Sequence, residues 1–334
     1  MATATTYSAT GSTRLKLVYR ALITSTSDRT RHPGPISVDA VRIGLVILPT
    51  DPWQTARRQW QWADDAGFST AWTYDHVRWG GMPDGPWYGT AIPVLAAAAV
   101  VTSRTRLGTL VTTPNFRHPV TLARDALTLD DLSNGRLDLG IGPGSQGHDA
   151  TALGQQPWTP SERLSRFESF LDVLTPILEG AAETRTTLRT AHYAAVEAPS
   201  TPGSVQQPLP LTVAAGGSRG MRLAARYGRT WVTVGPTSGV PHTPESVLEA
   251  ARRQVPLLEA ACTSVGRDPA TLGRVLLWMP YEPRITSADQ FEELAAPYHE
   301  LGFDQFVLHH PDQTGPFGGD VKAYEEIAAR HATP

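Results

Sequence analysis

The feature that most constrains this chain is an alternation. Eight short apolar runs with strand character, at residues 41–48, 69–74, 107–113, 137–141, 209–214, 231–234, 275–279 and 305–309, alternate with eight helical patterns that end near residue 332. The first run, VRIGLVIL, is almost continuously apolar, as a strand buried on both faces must be. Strands that alternate with helices build parallel sheets, and eight such units close into a (β/α)8 barrel of the TIM type, an α/β fold. The competing fold is an open doubly wound sheet. Against it, the first strand-to-helix turn, residues 48–52, has no GxGxxG fingerprint. In the same turn Asp51 is placed to cap the first helix, with Pro52 at its first position.

Composition narrows the function classes. At 334 residues and 40% hydrophobic content the chain can bury a full barrel core. A formal net charge of -3 without a long run of one sign argues against nucleic acid and against anionic membrane surfaces. Cys262 is the only cysteine, so an intrachain disulfide is impossible, and a cytoplasmic compartment is expected. No apolar run reaches the roughly 18–20 residues of a membrane span. The stretch 15–23 is too short and too charged for a signal-peptide core. Residues 1–40 read as a flexible N-terminal extension, and 41–332 as a single barrel domain. Residues 180–208 lack a helical period and carry several prolines. They read as an insertion between the fourth helix and the fifth strand, with 188–196 able to pair as a small hairpin.

The chemistry of such a barrel sits at the C-terminal ends of its strands. Asp75 and His76 follow the second strand, as an acid/base pair or as groups that position a ligand. Neighbours on an extended strand face opposite sides, so only one of the two is expected to face the mouth. After the third strand come Thr112, Thr113, Asn115, Arg117 and His118. Pro119 holds His118 extended, and His118 either lines the mouth or caps the helix that Pro119 opens. After the fourth come Gly142, Gly144, Ser145 and His148. The fifth ends in Ala214, Ala215, Gly216, Gly217, Ser218 and Arg219. Free backbone N–H groups, the helix dipole and two glycines make this turn a phosphate site, with Ser218 and Arg219 as added donors. Trp79, Met82, Trp87 and Tyr88, in a loop rich in Gly, Pro and Trp, wall a substrate pocket. Metal is not expected. There is no HExxH and no cysteine cluster, and His309 and His310 are adjacent, a poor spacing for two ligands on one strand. A serine nucleophile lacks its GxSxG motif.

Three segments together carry a family resemblance over about residues 41–332: TYDH (73–76), TTPNFRHPVTLARDALTLDDLSNGRLDLGIGPG (112–144) and VAAGGSRGMRLAARYG (213–228). In that order they resemble the luciferase-like flavin and deazaflavin oxidoreductases. The resemblance implies a cofactor across the barrel mouth with its phosphate at the turn after strand five. It also implies a non-prolyl cis peptide around Thr112–Thr113 against the ring system. One branch of that superfamily uses coenzyme F-420, a deazaflavin, and moves hydrides. The other uses reduced FMN from a partner flavin reductase and activates oxygen. The AAGG turn and the Asp-His pair resemble the F-420 branch more closely. The expected activity is therefore hydride transfer between F-420 and an organic substrate, small or peptidic, reducing an activated C=C or C=N bond. His76 is the first candidate proton donor or base, His118 the second, and Asp75 orients His76 or contacts the cofactor. An FMN monooxygenase and a non-catalytic flavin-binding barrel are the alternatives. In sugar-phosphate dehydrogenases of the F-420 branch a Glu follows the glycines after strand four. Ser145 stands there, so that acid catalyst does not carry over. A homodimer is also implied.

Overall fold

The computed structural model describes residues 41–81, 85–144, 147–236, 240–279, 284–311 and 317–332. The expected N-terminal extension, Met82 and Ser145 lie outside the described residues. The elements run β1 (Arg42–Val46), α1 (Trp53–Ala66), β2 (Thr70–Thr73), α2 (Ala91–Ala99), β3 (Arg106–Thr109), α3 (Pro119–Leu132), β4 (Leu137–Ile141) and α4 (His148–Ala152). Then come α5 (Pro160–Glu179), β5 (Arg185–Arg189), β6 (Ala194–Pro199), β7 (Leu211–Ala214), α6 (Ser218–Tyr227), β8 (Thr230–Thr233) and α7 (Pro244–Ser264). The chain finishes with β9 (Gly273–Leu277), α8 (Ala288–Glu300), β10 (Gln305–His309) and α9 (Val321–Arg330). Eight strands close into a parallel barrel in the order β1-β10-β9-β8-β7-β4-β3-β2. Closure brings the first and last strands together, with Arg42 opposite Gln305 and Val46 opposite His309.

The barrel is a filled core. Trp72 on β2 is fully buried, and a methyl group on Gly44 or on Gly108 would collide with its indole. The two glycines on the flanking strands β1 and β3 therefore make room for one large side chain on the strand between them. Burying an aromatic of this size takes about 200 Å² out of water, roughly 5 kcal/mol before entropy is counted. Tyr74, Leu110, Val232 and Leu277 join Trp72 in the interior cluster and form the floor of the mouth.

The helices begin at the mouth, and most have a side-chain cap. Thr159 caps α5, Thr243 and Ser246 form a capping box on α7, Ser287 caps α8, and Asp320 takes two amides of α9. The cap expected from Asp51 does not form. Pro52 is itself the N-cap residue of α1, and Asp51 instead accepts from the Gln59 amide. Helix α6 also starts with no side-chain cap, at Gly217, which leaves its first N–H groups free for another partner.

The insertion carries the expected hairpin as the antiparallel pair β5–β6, with wider bounds than the sequence suggested. It is pinned by Asp130, which is fully buried at the end of α3. Its carboxylate accepts from Ser204 Oγ, the amides of Val205 and Gln206, and the Gln206 side chain.

Candidate active site

Strand β2 runs on into Tyr74, Asp75 and His76, and the pleat separates them. Tyr74 turns into the barrel interior. Asp75 turns outward and is fully buried. Its carboxylate accepts from Arg117 Nε and Nη2, the latter at 2.8 Å, and from the Ala91 amide at 2.9 Å, where it caps α2. Three donors inside the protein hold the Asp75 carboxylate, and none of them is His76. This corrects the expectation that it orients His76 or contacts a cofactor.

The partner of His76 is Asp149. His76 Nδ1 lies 2.8 Å from Asp149 Oδ2, while Oδ1 accepts the amides of Val77 (2.7 Å) and Arg78 (3.1 Å). Burial alone would raise the Asp149 pKa. The hydrogen bond and charge of His76 and the two amides outweigh that and hold it below the ordinary carboxylate value. An ionised carboxylate can only accept, so Nδ1 carries a proton and Nε2 is the atom left for chemistry. The Trp87 indole donates to the His76 carbonyl (2.9 Å), which fixes the backbone of the dyad as well. Asp149 sits 73 residues from His76. Only its place just after a glycine-rich strand end could have marked it.

His118 is exposed. Its Nδ1 accepts from the Val120 amide as the cap of α3, and its ring meets Tyr193 edge-on. The capping alternative is the one observed. His148 begins α4, half-buried, with its ring where a side chain on Gly80 would stand. Thr112, Thr113 and Asn115 are buried behind the mouth, and the Thr112 hydroxyl and Asn115 Oδ1 are buried without a partner. The residues that come forward are Leu110 and Val111, joined by a cis peptide, upstream of the expected Thr112–Thr113. Gly142 is packed between Val111 and Ala214.

A cavity of about 520 Å³ opens at the ends of β3, β4, β7, β8 and β9. Its walls are mainly apolar: Leu110, Val111, Val232 and Leu277, with backbone at Gly144 and at Ala214–Gly216. Gly217 and Ser218 are exposed just beyond it, and a methyl group on Gly217 would meet nothing within 4 Å. Arg219 does not serve the turn, because its guanidinium pairs with Glu168 at 2.8 Å. The cation in the cavity is Arg163, near the start of α5, with His242 beside the β8 end. Sequence reading missed both. Arg163 lies four residues after the cap Thr159, a spacing that puts it near the mouth.

On the β1–β2–β10 side the wall is aromatic. Trp79 meets Tyr74 (5.3 Å), Trp87 (5.7 Å) and Phe317 (6.5 Å). His309 stacks on Phe317 at 4.3 Å. His309 Nδ1 lies 3.1 Å from the Trp278 carbonyl and its Nε2 lies 2.8 Å from the Tyr74 hydroxyl. A carbonyl only accepts, so Nδ1 holds the proton and Tyr74 donates to Nε2. Burial pushes the His309 pKa down to about 4, so the ring is neutral, and burial pushes the Tyr74 phenol up. Among the described residues no cluster of His, Cys, Asp or Glu could hold a metal, and no helix is long and apolar enough to cross a membrane.

The luciferase-like monooxygenase family model matches residues 25–281. The chain belongs to this family. Its relatives include an F420-dependent glucose-6-phosphate dehydrogenase from Beutenbergia cavernae, 30% identical over 75% of this chain and 85% of that protein. An F420-dependent hydroxymycolic acid dehydrogenase from Mycobacterium tuberculosis is 29% identical over 72% of this chain and 63% of that protein. The solved structure of an F420-dependent secondary alcohol dehydrogenase, crystallised with an F420-acetone adduct, superposes with a TM-score of 0.71. It is 17% identical and covers 86% of this chain and 98% of its own, a likeness of fold.

Proposed function

We propose that this luciferase-like oxidoreductase transfers a hydride between coenzyme F-420 and an organic substrate, in the direction that reduces an activated C=C or C=N bond. One observation carries the reading: the apolar cavity ends at the uncapped N-terminus of α6, with Arg163 at its rim. A flat ring system with a phosphate tail has those two requirements. Leu110, Val111, Val232 and Leu277 would hold the ring. The N–H groups at Gly216–Ser218, the helix dipole and Arg163 would hold the phosphate, and the open space at Gly217 admits it. Dependence on F-420 in the named relatives supports the same choice.

A reduced deazaflavin bound there would supply the hydride. The reduction also consumes one proton, and His76 Nε2 delivers it. The charge of Asp149 stabilises the imidazolium that must form first, and its hydrogen bond to Nδ1 fixes the tautomer and the ring. Trp87 and Trp79 keep water from the rim.

The test is turnover of reduced F-420 by the purified protein, with oxygen consumption followed in parallel and an F-420 titration alongside. Turnover without oxygen uptake is expected, and His76→Ala should lose about 10²–10⁴-fold in rate with F-420 affinity kept. Oxygen uptake with reduced FMN in place of F-420 turnover would replace this reading with that of a two-component monooxygenase. A His76→Ala variant within a few-fold of the parent would remove His76 from the chemistry.

A further inference from the structure

The two residues that open α4 hold the loop that carries His76. Asp149 accepts the amides of Val77 and Arg78 on one oxygen and meets His76 Nδ1 with the other. His148, one residue earlier, meets the next part of the same loop by packing. A methyl group on Gly80 would stand 2.6 Å from His148 Nε2 and Cδ2, closer than such atoms pack. The imidazole is half-buried and makes no hydrogen bond among the described residues, so packing is what it brings to the loop.

This seat is itself fixed. Gly147, just before His148, has a left-handed backbone (φ 88°) and packs on Pro157, which leaves no room for a side chain. Gly80 answers a different need. Its φ lies outside the left-handed region, and the three atoms a methyl group would meet first all belong to the His148 ring. An alanine at Gly80 is therefore opposed by His148 and not by its own backbone. The neighbouring Gly81 faces another ring, the indole of Trp79. Hydrogen bonds weaken steeply when stretched or bent. Three of them end on the Asp149 carboxylate, so a loop displaced at Gly80 disturbs the bond to His76 Nδ1 together with the two amide bonds.

We infer that His148 is a positioning residue for His76. Its ring is the stop on which Gly80 rests, and it keeps the loop at the height where Asp149 holds His76 Nδ1 and leaves Nε2 for the proton transfer. This rests on the reading of His76 as the proton donor of the hydride-transfer reaction. His148 acts through the loop and not on the substrate.

The experiment is a double-mutant cycle on the full-length protein: parent, Gly80→Ala, His148→Ala and the double variant. One readout is hydrogen exchange of the Val77 and Arg78 amides. The other is the nitrogen NMR spectrum of isotope-labelled histidines, which reports the Nδ1–H tautomer of His76, with His76→Gln to assign its signals. Each single variant should speed exchange of the two amides about tenfold, one by collision and the other by leaving a gap, and should mix the His76 tautomers. In the double variant the new methyl group takes up part of the space the ring left, so exchange should return to within about threefold of the parent. Gly81→Ala, which meets Trp79 instead, should not be rescued by His148→Ala. Thermal unfolding of each variant reports that the barrel is folded. A single variant with parent-like exchange or an undisturbed His76 tautomer, a double variant that exchanges as fast as either single one, or rescue of Gly81→Ala would overturn the inference. None of these measurements uses F-420. Absence of F-420 turnover would overturn the hydride-transfer reading, and the cycle would still decide whether His148 positions His76.

Discussion

His309 makes the protein sensitive to mild acid, and the size of the effect follows from its surroundings. The ring is neutral in the fold, with a pKa pushed down from 6.5 to about 4 by burial. In the unfolded chain it titrates at its ordinary value. Above pH 6.5 neither state binds the proton and the group has no influence on stability. Between pH 6.5 and 4 the unfolded chain takes a proton that the folded chain refuses, so stability falls as pH falls. Below 4 the full penalty is in place, on the order of 3 kcal/mol, at about 1.36 kcal/mol for each tenfold difference in proton affinity between the two states. From pH 7 to pH 5 the loss is about 2 kcal/mol by the same linkage relation. His309→Gln keeps a polar side chain of similar reach and removes the titration. Its absolute stability will be lower, because the bonds to Tyr74 and Trp278 change. The informative quantity is the difference between parent and variant across pH. Urea unfolding followed by tryptophan fluorescence at pH 7, 6 and 5 should show that difference shrinking by about 2 kcal/mol, since carboxylates remote from the site cancel. A constant difference would refute the reasoning. It would mean that the folded imidazole takes up its proton as readily as the unfolded one, and that burial does not hold it neutral.

Three further outcomes follow from the same geometry. Asp149→Asn replaces the acceptor at His76 Nδ1 with an amide that can present its NH₂ there. Turnover should fall at least about tenfold while the F-420 dissociation constant stays within about twofold, read by steady-state kinetics beside calorimetry. Gly217 has an extended backbone (φ -129°) and open space for a side chain. Gly217→Ala should therefore leave F-420 affinity within about twofold, whereas Gly217→Asp, which brings a negative charge to the α6 N-terminus, should weaken it about tenfold. Arg117→Ala leaves the Asp75 carboxylate buried without its cation, and a loss of roughly 3–5 kcal/mol in stability is expected, read as a lower urea midpoint.

The barrel was legible because its signal is local and repeated. Each apolar run ends in a turn and each helix restarts a 3.6-residue period, so errors at one boundary do not reach the next. The hairpin in 180–208 and the cap at His118 were legible for the same reason, since loop composition and a following proline act over a few residues. What could not be read were the pairs that closure creates. Tyr74 and His309 are 235 residues apart, and they meet because β1 pairs with both β2 and β10. Arg163 reaches the cavity from the start of a helix whose sequence resembles any amphipathic surface helix.

Residues 72–76 show where a local rule carries further than a motif. As a motif, Asp75-His76 invites the reading of an acid/base pair. As a strand, it forbids that pairing, because adjacent side chains point to opposite faces. Asp75 is turned to Arg117 and the start of α2, where its charge is consumed by the fold. Trp72 and Tyr74 take the inward positions, one filling the barrel and one lining its floor. His76, two residues further on, reaches the rim, where Asp149 arrives in the first turn of α4 to meet it. The acid partner of a histidine at a barrel strand end is thus to be sought on the loop of another strand, and in this chain the loop after β4 provides it.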